Sequence, residues 1–175
     1  MKKIFALALA LALPLGLAAC DWLGKPEPPQ PTQAETTAEP ETATEIPPVT
    51  LYLPNENADG FVTRQAKTDG AIADVVALLV AEGALPEGCA PLSFMAGNRS
   101  GHESAKLDMN AAFGTAVSST GTTGEYLLFG CLVNTVLVYY GYESVVVTAE
   151  GRVIESGHAV YDEPLWFYEN QVAMQ

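Results

Sequence analysis

The sequence predicts an α+β domain. It has a single sheet of about four to five strands and two helices packed on one face, in the order β-α-β-β-α-β-β. Three observations carry this. Short segments at 49–53 and 105–109 alternate apolar and polar residues, the period of a half-buried strand. Two longer stretches place apolar residues at helical spacing or run apolar throughout. Clusters of Gly, Pro, Asn, Ser and Thr separate these segments at domain-like intervals.

The elements follow in order. Val49, Leu51 and Leu53 alternate with Thr50 and Tyr52, and Pro54 ends the first strand. Residues 55–60 are turn-rich. Asp69 is placed to cap a helix whose Ile72, Val75, Val76, Leu79 and Val80 share one face, and Gly83 is its natural stop. Strands at 92–96 and 105–109 form a hairpin around a polar loop, 97–103. Asn110 caps a short turn at 111–113, and 118–124 reads as a flexible loop.

The stretch 122–141, TTGEYLLFGCLVNTVLVYYG, has no charge between Tyr126 and Tyr142. Its length admits a short membrane span or a buried core helix. Thr122 and Glu125 have the spacing of a capping box, Gly141 suits the C-terminal end, and Asn134 and Thr135 interrupt the apolar run. Basic flanks are missing, so the stretch is read as the central helix of a soluble core. Strands at 144–148 and 152–154 join through Glu150-Gly151, and 157–165 adds an edge strand that Pro164 limits.

The N-terminus is an address. Lys2 and Lys3 precede an apolar run from Ile4 to Leu17, too short for a comfortable span. Leu17-Ala18-Ala19-Cys20 follows and resembles the lipobox of bacterial lipoproteins. That resemblance implies a signal peptide at 1–19 and a lipid (diacylglycerol, palmitate-type chains) on the Cys20 thiol. It also implies anchorage at the extracytoplasmic face of the cell membrane. Each buried lipid CH₂ contributes about 0.8 kcal/mol, so two or three chains hold stably where one does not. Asp21 matches a signal that some two-membrane bacteria read as inner-membrane retention. Residues 20–47, rich in Pro, Glu and Thr, form a disordered tether, and 48–170 the domain. As a coil the tether reaches about 30 Å, and as polyproline II roughly 80 Å.

The 175-residue chain has a formal net charge of −13. From Cys20 onward it has 6 basic and 21 acidic residues, a net of −15. Such a surface repels phosphate backbones, so nucleic acid is excluded as a partner, and attachment to anionic lipid needs the lipid anchor. Cys89 and Cys131 either pair or stay as buried free thiols, the latter favoured by the core position of Cys131.

Catalytic signals are weak. His102 and His158 lie far apart without ligand spacing, so no metal site and no cofactor are expected. His158, Asp162 and a nearby Ser can be drawn as a hydrolase triad, but no nucleophile elbow supports it, and the chain is read as no enzyme. Asn134 is expected to tie down a neighbouring loop backbone. Trp166, Phe167 and Tyr168 either pack the C-terminal tail, the favoured reading, or form a stacking surface beside loops 97–103 and 118–124.

Taken together, the segments TLYLP at 50–54, LDMNAAF at 107–113, EYLL at 125–128, LVNT at 132–135 and GHAVYDEPL at 157–165 resemble the GerMN domain family. The resemblance covers nearly all of 49–168. It implies a domain resembling the ring-building motifs of secretion-system proteins. It also implies a non-catalytic role in envelope assemblies, with other envelope proteins or further copies as partners. Sporulation and germination proteins of the family carry two such domains, whereas this sequence shows one. The alternative is a lipoprotein that binds a small molecule or a cell-wall fragment.

Overall fold

The computed structural model describes residues 45–170 apart from Ser100, all within the unit Ala43–Gln175. The signal segment, Cys20 and nearly all of the tether lie outside the described residues.

The α+β class and a five-stranded sheet stand, but the strand at 49–54 leaves the expected single sheet for a separate two-stranded one, and a third helix is added. The first strand, β1 (Val49–Pro54), buries Val49, Leu51 and Leu53. It pairs antiparallel with β2 (Phe61–Ala66), from Val49↔Ala66 to Pro54↔Phe61. Strand β2 carries no apolar alternation, because only Phe61 is buried and the rest of the strand is exposed or half-buried. What makes β2 a strand is the turn before it. Asn55 N–H donates to Gly60 O at 2.9 Å, and the Asn55 side chain bonds Asp59, folding the chain back along β1.

Helix α1 (Ile72–Ala81) turns Val75, Val76 and Leu79 inward. Its N-cap is Ala71, not Asp69. Asp69 sits two residues earlier and its carboxylate accepts the Ala71 N–H at 2.8 Å, an Asx turn that leads into the helix. The other end is a Schellman motif: Gly83 at φ +73° donates to Val80 O, and Ala84 to Leu79 O.

The five-stranded sheet runs β3 (Pro91–Arg99), β4 (His102–Met109), β5 (Ser144–Ala149), β6 (Arg152–Glu155) and β7 (Val160–Tyr161), in that spatial order. Strands β4 and β5 are parallel; the other pairs are antiparallel. The expected polar loop at 97–103 is mostly strand, since Gly97↔Ser104, Asn98↔Glu103 and Arg99↔His102 are paired. These residues extend past the core, where backbone pairing persists without an apolar face to mark it. Glu150 and Gly151, at φ 52° and 72°, make the tight β5–β6 turn. Leu165 bridges Val145 in the tail.

Two helices cross from β4 to β5. Asn110 caps α2 (Ala111–Ser118), a full helix where only a turn at 111–113 was expected. Residues 119–121 then lead directly into α3 (Thr122–Tyr140). Every residue of 129–137 is buried. The helix packs between the β1–β2 hairpin and the sheet, which explains why its apolar run is continuous and not one-sided. Gly141 closes it at φ 75°. Among the described residues no helix is long and apolar enough to cross a membrane. Gly130 matters here, because a Cβ on it would lie 2.0 Å from the Phe61 ring. Only glycine lets that ring rest on the helix.

Candidate functional site

The polar side chains of α3 serve the scaffold. Asn134 accepts the Tyr168 N–H at 2.7 Å and donates to Tyr168 O at 2.9 Å, fixing the tail as the sequence suggested. Thr135 Oγ1 accepts the Tyr52 N–H at 3.0 Å. The capping box is absent: Gly121 is the N-cap, with no side-chain bond. Glu125 instead points inward, 3 % exposed, and accepts from Tyr161 OH at 2.6 Å. Its other oxygen faces His158 Nδ1 at 2.9 Å. Burial pushes the Glu125 carboxyl up, but the hydrogen bonds from Tyr161, His158 and Ser156 and the His158 charge outweigh it. Its pKa falls below the ordinary value. Tyr161 moves up, by burial first and then by its bond to this carboxylate.

This geometry does not make the triad that His158 and Asp162 suggested. The carboxylate on the imidazole is Glu125, from a distant helix. Ser156 Oγ accepts the backbone N–H groups of His158 and Ala159, and no Ser or Cys bonds the ring among the described residues. The cluster clamps segment 156–161 onto the start of α3. Cys89 and Cys131 are free and buried, and burial pushes the Cys131 thiol up to about 12, far from a reactive thiolate. His102 bonds Glu143, and among the described residues no group of three or more His, Cys, Asp or Glu converges as for a metal.

What remains for function is surface. Ala105, Leu107, Met109, Val145 and Val147 face the helices and are buried. Strand alternation sends their neighbours to the other face, which no helix among the described residues covers. There Met95 (54 % exposed), Lys106 and Val146 align across three strands, with Thr148 and Val153 beside them. They line a shallow hollow of about 510 Å³. Strand β3 forms its rim. It is a nine-residue edge, and its middle, Leu92 to Asn98, has no charge. Long uncharged edges are ready to pair with another strand.

At one end the hollow meets a smaller pocket of about 330 Å³, lined by Arg99, His102, Ser144, Glu163, Pro164 and Trp166. The expected aromatic cluster thus divides. Tyr168 packs on Tyr126, Phe167 lies edge-on to Tyr52, and Trp166 faces this pocket, edge-on to His102. Segment 97–103 contributes Arg99 and His102, while Ser119, Thr120 and Gly124 line a different depression. Sequence reasoning did not find the open face, because it depends on which side the helices cover. Its signal was present in the Met95/Phe94 and Lys106/Leu107 alternation.

No family model matches the chain, and no curated protein matches it. Among solved structures, the chain is similar to a protein from Clostridium perfringens described provisionally as a lipoprotein. The match has 14 % identity and a TM-score of 0.42, over 68 % of this chain and 86 % of that one. It is also similar to the tandem GerMN domains of the sporulation protein GerM from Bacillus subtilis. There the identity is 21 % and the TM-score 0.45, over 77 % of this chain and 49 % of that one.

Proposed function

We propose that this protein is a lipid-anchored, extracytoplasmic envelope protein that works without catalysis, through protein–protein contact. The contact surface is the open sheet face and its β3 rim. The observation that carries this is the long edge strand, uncharged through its middle, beside an apolar hollow with exposed Met95 and Val153. The lipobox-like Leu17-Ala18-Ala19-Cys20 supports the anchor, and the tether beyond it supports reach from the bilayer. The GerMN resemblance supports assembly with envelope proteins or further copies, in rings, with sporulation or germination as the setting. Crosslinking in native membranes should yield adducts larger than the monomer; monomers alone, with no protein recovered by pull-down, would overturn the contact role. The anchor is tested separately. Cys20→Ala should move the protein from membrane to soluble fractions and abolish lipid labelling, and retention at the membrane would sink the lipobox reading.

A second reading, ligand binding, is favoured by one observation, the pocket at Trp166.

A further inference from the structure

We propose that the pocket lined by Arg99, His102, Ser144, Glu163, Pro164 and Trp166 binds a neutral saccharide, with the sugar's C–H face on the Trp166 indole. The proposal develops the ligand-binding reading and is independent of contact through β3.

Trp166 is 51 % exposed, an unusual state for the largest apolar side chain unless its face has work to do. It is held by the tail on both sides: Leu165 pairs with Val145 through two backbone bonds, and Phe167 packs on Tyr52. The indole is therefore presented on a fixed backbone, which lowers the ordering cost of binding. The pocket volume, about 330 Å³, lies at the small end of ligand pockets, roughly 300–1,000 Å³.

The polar lining selects the ligand class. Arg99 and Glu163 meet through one long contact of 3.4 Å, both exposed, so most donors of the guanidinium and most acceptor positions of the carboxylate stay open. His102 Nδ1 is taken by Glu143, which leaves Nε2 as its other polar atom. Ser144, at the start of β5, lines the pocket and adds a hydroxyl to its wall. A free anion would meet Glu163 and Glu143, in a region where 45–170 holds 16 acidic and 5 basic residues. A cation would meet Arg99. Vicinal hydroxyls match both, since each donates and accepts, and a pyranose also offers an apolar face to the indole.

The test uses the full chain with Trp22→Phe, so that Trp166 is the one remaining indole. Chitotriose, maltotriose and cellotriose are titrated against its fluorescence, with acetate and phosphate at matched ionic strength as controls. At least one trisaccharide should give a saturable change. By calorimetry, Trp166→Ala should weaken that binding about tenfold or more, the scale of one lost aromatic face. Arg99→Ala and Ser144→Ala should each weaken it several-fold, while Val62→Ser, on β2 and outside the pocket lining, leaves it unchanged. Circular dichroism checks that each variant is folded. The proposal is overturned if none of the three sugars saturates, if acetate or phosphate binds as tightly as the sugar, or if Trp166→Ala binds like the parent.

Discussion

The two faces of the five-stranded sheet are built from alternate residues of the same strands and have opposite fates. On one face Leu107, Met109, Val145 and Val147 vanish beneath α2 and α3. On the other, Met95, Lys106 and Val153 stay in solvent within a shallow hollow. Neighbours such as Lys106 and Leu107 share backbone geometry, so the difference comes from the helices that cover one side. The covered face supplies stability. The open face is free to make contacts, and the functional reading rests there.

The comparison predicts a steep contrast in stability. Leu107→Ala should cost about 2–5 kcal/mol in denaturant unfolding, the range for deleting a buried leucine. Lys106→Ala, one residue away, should stay within about 0.5 kcal/mol. Similar losses at both positions would mean that the outer face is also part of the core. Gly130→Ala should cost about 1–3 kcal/mol, because a Cβ there collides with Phe61 and overpacks the junction of α3 with the hairpin.

Glu125 gives a smaller effect with a definite sign. Its folded pKa lies below the unfolded value near 4.5, so the unfolded chain binds the proton more readily. Its contribution is full above the unfolded value and is lost as pH falls through the lower folded value. Melting temperatures of the parent should therefore drop below about pH 4.5 more steeply than those of Glu125→Gln, which starts lower and lacks this slope. Parallel curves would mean that the clamp on segment 156–161 does not depend on the carboxylate's charge.

Much of the scaffold could be read from the chain. Alternation marked β1 and β4, Gly83 and Gly141 marked two helix ends, and Asn134 announced its tie to a loop. The misses have physical causes. Strand β2 pairs with β1 but buries only Phe61, so it carries no period. Glu125 has capping-box spacing, yet a buried bond to Tyr161, from 36 residues away, outcompetes the local backbone N–H groups. The Trp166 pocket joins β3, the start of β5 and the tail, which only the folded sheet brings together.

The most direct measurement places a photoreactive residue at Met95, on the open face, and in parallel at Val62, exposed to a similar degree on the hairpin. Both proteins are irradiated in their native membranes. A discrete higher-mass adduct is expected from position 95 and little from position 62. Equal yields from both, or a monomer alone from position 95, would contradict contact through the open face.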